Sequence, residues 1–301
     1  MWIINGALLA GCLYEPCFAL ITRLRGADAR PSITAVTLIA GFASTLSFPA
    51  AHFLSEYSSW RLTVLVFAAV VICVAAPLLW LGASRLQRQY AVADDDLSDD
   101  QVQGRSDKKR ATLFHATFLR RPMFWLLGCG FALAAIVHGA TLNHLLPLLN
   151  ERGIAAGVAV LAVSFIGPMQ VAGRIATALL GNRLSNHATV WIIFIAMGAS
   201  IVCLILARWQ PWMLFVFVLL FGGSYGILSI VRPVVAREML GGNAFGSKSG
   251  VLAFLYLIGA GSSPWIGSLL WRAGGYTLVL TILVVLMGIA LMLYSAARRE
   301  L

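Results

Sequence analysis

Charged side chains are scarce in this sequence. Only 11% of its 301 residues are Asp, Glu, Lys or Arg, against about a quarter in a typical soluble domain. Hydrophobic residues make up 60%, and the mean hydropathy is +0.86. So little polar surface cannot cover a water-soluble globule. The composition therefore excludes an ordinary soluble domain and predicts a protein that is solvated by lipid.

Motifs for cofactors and metals are also missing. No GxxxxGK[ST] loop is present, so ATP cannot bind in that manner. The five cysteines lie in apolar segments without a CxxC pair, and we interpret them as small buried hydrophobes. The aspartate run at 94–100 has no glycine turn or ligand glutamate at loop spacing, which favours a solvated charge run over a cation site. We therefore predict no metal and no cofactor.

Two further functional classes are disfavoured. The net charge of +10 is not arranged as a Lys/Arg stripe with interleaved aromatics, so we expect no nucleic-acid partner. An intramembrane protease would need a GxSxG-like serine, an HExxH motif or paired aspartates on facing helices, and we expect none of the three here. We do not predict an enzyme.

Long apolar segments dominate what is present. A bilayer core of about 30 Å needs roughly 20 apolar residues in a helix. The sequence predicts nine such spans, which give an all-α polytopic membrane helical bundle: 3–22, 32–53, 61–83, 123–147, 156–180, 188–207, 211–231, 249–270 and 276–296.

Basic residues predict the orientation of these spans. Of the 22 Lys and Arg residues, 18 lie in or beside alternate connections. The other four, Arg61, Arg152, Arg208 and Arg272, lie on the opposite side. Because basic residues resist translocation, the richer side should be cytoplasmic. The predicted N-terminus is outside and the C-terminus inside.

One long connection divides the spans into three and six. Residues 84–121 are polar and carry charges of both signs, which predicts a flexible cytoplasmic linker. The predicted domains are therefore a partial N-terminal half of three spans at 1–83, the linker at 84–121, and a six-span half at 122–301. Residues 1–5 lead into an apolar run without a basic region, so the start resembles the interior of a longer protein.

The three-plus-six plan resembles the major facilitator superfamily from its fourth to its twelfth helix. Gly26 among Arg23, Arg25 and Arg30 resembles the family's fourth-to-sixth helix region. Residues 167–174, with Gln170, Gly173 and Arg174, followed by Gly181 and Arg183, resemble its eighth helix and following signature loop. Asn182 stands where the family usually has an acidic residue. We treat Gln170, Gly173, Arg174, Gly181 and Arg183 as candidates for gating.

A stripe of small residues marks the eighth predicted span. Gly250, Gly259, Gly261 and Pro264 resemble the eleventh-helix counterpart of the family's antiporter motif. The fifth-helix copy near 41–49 lacks most of these glycines, so antiport is not inferred. Independently of the resemblance, small residues allow close helix contact in lipid, which supplies no hydrophobic drive between helices. Packing with or without motion explains them.

Ionisable and polar side chains at membrane depth are candidates for a solute or proton cavity, because such groups are costly there. The resemblance implies that spans one, four and seven line this cavity. The candidates on those spans are Glu15, His138, Thr141, Asn143, His144 and Tyr225. The alternative is structural pairing for Glu15, a hydrogen bond to a neighbouring carbonyl for the histidines, and aromatic packing for Tyr225. We predict that Arg174, near the inner end of its span, extends to the interface, with packing or gating favoured over solute contact.

These observations predict a secondary active transporter of a small solute that works by alternating access and couples to protons. The alternative is a truncated remnant that does not transport, because the family's first three helices are absent from this plan. The expected partners are the lipid bilayer, a small-molecule solute and protons, and the chain is expected to be a monomer in a cell (inner) membrane. The substrate and the direction of coupling stay open.

Overall fold

The computed structural model describes residues 58–95, 118–180, 184–241 and 245–300, together with isolated positions between 17 and 54. Contacts divide the chain into two compact units, one of residues 1–41 and 115–301 and one of residues 42–114. Every regular element in the described part is helical, which confirms the all-α prediction. The first two predicted spans and residues 96–117 of the predicted linker lie mostly or wholly outside the described residues.

Residues 60–95 of the smaller unit form one long helical segment. Helix α1 (Trp60–Val70) passes through a single π-helical turn (Val71–Ala75) into α2 (Ala76–Asp95). The Ser59 hydroxyl caps α1 by accepting from the Leu62 backbone N–H. The helix continues twelve residues past the predicted span end at 83, because backbone hydrogen bonds persist in water once the apolar segment has ended.

The described part of the larger unit after residue 117 contains five further helices. Their bounds are α3 (Pro122–Glu151), α4 (Ala156–Leu180), α5 (Asn186–Leu206), α6 (Met213–Leu240) and α7 (Phe245–Arg299). A short 3-10 turn, Phe118–Arg120, precedes α3. Pro122 begins α3 at a position where its missing N–H costs no hydrogen bond, and the Ser185 hydroxyl caps α5.

Helix α7 is bent at two glycines. Gly274 and Gly275 have non-helical backbone angles, and Gly275 lies at φ 66° and ψ −172°. This region of backbone space is open essentially only to glycine. The bend divides α7 into a first arm (245–273) and a second arm (276–299), which match the last two predicted spans. Six segments of the described chain are long and apolar enough to cross a membrane, and the last of them contains this bend.

Contacts across α3 show the directions of the two arms. Residues Gly128, Ala132, Gly139 and His144 meet positions 255, 259, 263 and 264 of the first arm in increasing order. The same helix meets the second arm in decreasing order, since Gly130 lies against Ala290 while His144 approaches Tyr276. Helix α3 is therefore parallel to the first arm and antiparallel to the second.

The larger unit has the contact pattern of two inverted three-helix repeats. One group comprises α3, α4 and α5, and the other comprises α6 and the two arms of α7. Helix α4 is parallel to α6, as α3 is to the first arm, and α5 packs against α6 as the second arm packs against α3. If α3, α4 and α5 are matched in order with α6 and the two arms of α7, the α4–α6 pair corresponds to the first arm with α3, and the α5–α6 pair corresponds to the second arm with α3. Inverted repeats of this kind are common in secondary transporters.

Glycines bring the two parallel helix pairs into close contact. In α4–α6, a Cβ at Gly173 would collide with the Gly223 backbone, and one at Gly226 would collide with the Gln170 carbonyl. In α3–α7, a Cβ at Gly259 would lie 2.5 Å from the Ala132 carbonyl oxygen. These glycines cannot be enlarged without moving a helix backbone, as expected where small residues mediate helix association in lipid.

Aromatic side chains mark one end of the larger unit. Trp209, Trp212 and Trp271 are exposed there, close in sequence to Arg208 and Arg272. Tryptophan is enriched where a helix leaves the hydrocarbon for the headgroup layer. This is the end that the charge pattern predicts to be external, and we call it the outer end.

Candidate functional site

His138 occupies the interface between α3 and α6. Its imidazole is 7% exposed and stacks on the Tyr225 ring, with centroids 3.4 Å apart and planes within 1° of parallel. Phe221, which like Tyr225 belongs to α6, also stacks on the imidazole, with ring centroids 4.9 Å apart. The imidazole Nδ1 is buried and has no hydrogen-bond partner among the described residues. The structure thus brings together two of the predicted cavity residues, one from each of two spans.

Tyr225 extends this contact into a chain of polar groups. The Tyr256 hydroxyl of the first α7 arm donates to the Tyr225 hydroxyl over 3.4 Å. The Arg232 guanidinium carbon lies 3.9 Å above the centroid of the Tyr256 ring, which is a cation–π contact. Helices α3, α6 and α7 therefore share a continuous path of ring and hydroxyl contacts from His138 to Arg232.

Arg174 approaches α6 from α4. Its side chain is only 4% exposed, and its Nε–H donates to the Gly226 carbonyl over 3.4 Å. We predicted that Arg174 extends to the membrane interface, but its side chain is buried instead. The close α4–α6 contact places its guanidinium against the backbone of α6. His138 and Arg174 therefore meet α6 at consecutive residues, Tyr225 and Gly226.

The other polar residues of α3 face elsewhere. The Thr141 hydroxyl donates to the Val137 carbonyl of its own helix, and Asn143 is exposed with its amide donating to the Gly139 carbonyl. His144 lies against α7, while Thr141 and His144 border the second arm. His144 follows His138 by six residues, which is about one and two-thirds helical turns, so the two rings point in different directions. The predicted cluster is therefore divided between contacts with α6 and contacts with α7.

Both ring nitrogens of His144 have a polar neighbour. Its Nε2 lies 3.1 Å from the Pro264 carbonyl, which can only accept, so Nε2 carries the hydrogen. Nδ1 lies 3.5 Å from the Tyr276 hydroxyl. One backbone carbonyl and one side-chain hydroxyl therefore position the ring between the arms of α7.

The remaining predicted residues differ in their surroundings. Gly259 contacts the α3 backbone, whereas a Cβ at Gly250 or Gly261 would meet no atom within 4 Å. The Pro264 carbonyl accepts from His144 and also from the Ser268 hydroxyl. The Gln170 backbone lies against Gly226. Glu15, Gly181 and Arg183 lie outside the described residues.

Sequence reasoning missed Tyr256 and Arg232 as members of the polar path. A tyrosine in an apolar helix was a usable signal for Tyr256, but its partner on α6 depends on helix packing. It also missed a cluster at the inner end, where His187 Nδ1 lies 2.7 Å from the Tyr294 hydroxyl. There the Asn186 amide donates to Glu238 over 2.5 Å.

The expectation that no GxSxG-like serine is present was wrong, because this spacing occurs at residues 222–226. The structure places Ser224 within α6, buried, with its hydroxyl donating to the Leu220 carbonyl of the same helix. A hydrolase nucleophile with this motif stands on an exposed strand-to-helix turn. The spacing here is explained by the glycines of the α4–α6 contact. Within the described chain, no group of three His, Cys, Asp or Glu residues could hold a metal ion.

Comparison with known proteins identifies the family. Residues 1–259 match the family model described as the Major Facilitator Superfamily. The chain belongs to this superfamily. It is accordingly a multi-pass membrane protein, and the inverted three-helix repeats of its larger unit are those expected of a superfamily member.

Several transporters are similar to this chain over much of its length. Monocarboxylate transporter 12 of Xenopus laevis is 25% identical over 289 residues, which cover 91% of this chain and 62% of that protein. Monocarboxylate transporter 12-B of Danio rerio is 24% identical over 257 residues, covering 79% and 54% respectively. The human monocarboxylate transporter 12 is 24% identical over 304 residues, covering 91% and 57%. The chain thus spans less than two thirds of the length of these relatives.

Proposed function

We propose that this chain is a secondary active transporter that moves a small monocarboxylate across a cell membrane by alternating access, coupled to protons. The names of the similar proteins support the substrate class. We further propose that the protein acts as a monomer, with its C-terminus and the 84–121 segment in the cytoplasm. The charge pattern of the connections supports this orientation.

One observation carries the proposal. A histidine of α3 and an arginine of α4, both buried in helices long enough to span the membrane, contact α6 at Tyr225 and Gly226. Ionisable groups at membrane depth are costly and usually serve a cavity, a proton path or a partner group. Two of them meeting one turn of a third helix favours a shared role in transport over two separate packing roles.

The chemistry of the two groups suits a carboxylate and a proton. A guanidinium binds a carboxylate through two parallel charge-assisted hydrogen bonds, and its charge persists at every physiological pH. Imidazole changes its charge near neutral pH and can therefore exchange a proton with a solute pathway. In the proposed cycle, Arg174 attracts the substrate anion and His138 takes part in proton movement.

Glycine contacts support the conformational part of the proposal. The α4–α6 and α3–α7 pairs are closely packed, and in each pair glycines bring backbone against backbone. Such pairs can move as rigid bodies, and alternating access is largely the rocking of rigid helix groups around a fixed site. We propose that the two pairs move relative to each other, with the His138–Tyr225 contact at the boundary between them.

Uptake into vesicles tests the proposal. The purified chain is reconstituted, and entry of radiolabelled lactate is measured with and without an inward proton gradient. We expect gradient-stimulated uptake, and we expect Arg174→Gln to lower the initial rate about tenfold or more, which corresponds to ~1.4 kcal/mol. Arg174→Lys should retain part of the rate because it keeps the charge but loses the planar fork.

His138→Phe isolates the proton step. Phenylalanine keeps an aromatic ring for stacking on Tyr225 but has no titratable nitrogen, so uptake should lose its stimulation by the gradient. Arg272→Gln, which removes an exposed cation at the outer end, is the matched control and should transport normally. Absence of lactate uptake by the unmodified chain, as a non-transporting remnant would show, contradicts the proposal. So does unaltered uptake by Arg174→Gln.

A further inference from the structure

A cavity lies at the outer end of the larger unit, away from the His138–Arg174 region. Its volume is about 570 Å³, and its walls come from the end of α3, the α5–α6 connection and the bend of α7. Glu151, Arg152, Arg208, Pro211, Phe215 and Tyr276 are among its lining residues. A space of this size accommodates a small organic molecule together with water.

The charges around this cavity are unbalanced. Arg152 and Arg208 both line it, whereas Glu151 is its one acidic lining residue. The Trp271 indole N–H donates to the Glu151 carboxylate over 3.1 Å, which occupies one of that group's acceptor sites. The described lining therefore has a net charge of +1, with guanidinium groups from two connections facing one space.

The two arginines differ in their attachment. Arg152 is half-buried, and its Nη1 donates to the Leu204 carbonyl over 2.6 Å, which fixes the guanidinium at the cavity wall. Burial lowers the pKa of Arg152, the nearby Arg208 charge lowers it further, and Glu151 acts in the opposite direction. Arg208 is exposed, and its guanidinium makes no hydrogen bond to any described residue. Two positive charges that line one space attract an anion to it.

The lining also indicates which anion fits. Pro211, Phe215 and the buried Tyr276 ring supply apolar wall next to the arginines. A small carboxylate with an organic group matches both parts, because guanidinium forms paired hydrogen bonds with a carboxylate and the organic group can cover the apolar surface. We propose that this outer cavity is a binding site for a small organic carboxylate, separate from the transport site. Binding here requires no transport step.

Chemical protection of individual arginines tests the site. The protein in phosphatidylcholine nanodiscs is treated with phenylglyoxal, which modifies accessible guanidinium groups, and each arginine is followed by peptide mass spectrometry. Millimolar lactate should slow the modification of Arg152 and Arg208 about fivefold or more, because a bound carboxylate covers both groups. Arg272 lies at the same end but does not line the cavity, so its rate should not change. Lactamide, which has the same shape without the charge, should protect none of them.

Two variants separate the site from a structural role. Arg208→Gln removes an exposed cation with no hydrogen bond to lose, and should raise the lactate concentration needed to protect Arg152 about tenfold. Glu151→Gln removes the competing carboxylate and should lower that concentration, a gain that general damage to the fold would not produce. The same measurement needs no uptake, so it can succeed or fail independently of the transport proposal.

Three results would overturn the inference. Equal protection of Arg272 would mean general anion adsorption at the outer end. Protection by phosphatidylglycerol nanodiscs but not by lactate would assign the arginines to lipid headgroups instead. Unchanged protection in Arg208→Gln would exclude the paired-arginine site.

Discussion

At the scale of single residues, neighbouring positions of one type have unlike surroundings. Gly222, Gly223 and Gly226 all lie in α6, yet a Cβ added at Gly226 would collide with the Gln170 carbonyl, whereas one at Gly223 would meet no atom within 4 Å. His138 and His144 differ in the same way, since the first stacks on α6 and the second bonds to α7. The residue type is the same within each comparison, and the contact with a neighbouring helix makes the difference.

The glycine difference gives a prediction about stability. Gly226→Ala should lower the free energy of unfolding by about 1–3 kcal/mol, because the α4 and α6 backbones must separate to admit the methyl group. Gly223→Ala should be neutral or slightly stabilising, because alanine favours a helix by up to about 1 kcal/mol over glycine. Melting midpoints of the detergent-purified variants measure this. Equal midpoints for the two would contradict the close α4–α6 contact.

At the scale of elements, the bend of α7 determines how the last two arms are used. A straight helix of 55 residues would be about 80 Å long, far more than a bilayer core needs. Gly274 and Gly275 interrupt it and allow both arms to pack against α3 in opposite directions. The bend also brings Gly275 and Tyr276 to the wall of the outer cavity.

Replacement of Gly275 should therefore disturb the second arm. Gly275→Ala places a Cβ on backbone at φ 66° and ψ −172°, which should cost about 1–3 kcal/mol of stability. Gly261→Ala is the matched control in the same helix, because a Cβ there meets no atom within 4 Å. Thermal unfolding in detergent should show a lower midpoint for the first variant only. If Gly261→Ala lost as much stability as Gly275→Ala, the backbone conformation at the bend could not be the cause of the loss.

At the scale of the whole molecule, the described helices of the larger unit alternate in direction. Arg152, Arg208 and the α7 bend lie at one end, while Asn186, Glu238 and Tyr294 lie together at the other. Contacts establish that these are two separate ends. The side of the membrane that each one faces follows from the distribution of basic residues alone.

Reporter fusions test this orientation. In a bacterial host, green fluorescent protein joined after Leu301 should fluoresce, because that fusion is predicted to be cytoplasmic. Alkaline phosphatase joined after Trp209 should be active, because the α5–α6 connection is predicted to be external. The reciprocal fusions, with the reporters exchanged, should both be inactive. Activity in the reciprocal pair instead would reverse the assigned topology.

Much of the fold could be predicted from the chain itself. The predicted span 188–207 differs from α5 (Asn186–Leu206) by two residues or fewer at each end, because the apolar run and the helix coincide. Where they do not coincide, the helix is longer: α6 ends at Leu240 rather than at 231, since Arg232, Arg237 and Glu238 follow the apolar run and are still helical. Hydropathy locates the membrane crossing, and backbone hydrogen bonding determines where the helix ends.

The candidate site could be predicted only in part. Membrane depth selected His138, Tyr225 and Arg174 as costly or polar groups, and the structure places all three around one turn of α6. Tyr256 and the outer cavity were not predicted, because each depends on residues distant in sequence that meet only after the helices pack. The placement of Glu15 lies outside the described residues, so its role stays a sequence-based prediction.

In the sequence, the motifs resembled those of the major facilitator superfamily. The sequence by itself also determined that this is a polytopic helical membrane protein with its basic residues biased to one side. Those properties follow from hydropathy, span length and charge, which are local along the chain. Only the tertiary structure decided that His138 and Arg174 meet α6 at adjacent residues, that His144 belongs to α7, and that two arginines share an outer cavity. The rotation of each helix about its own axis decides these contacts, and in lipid that rotation depends on side-chain packing between helices.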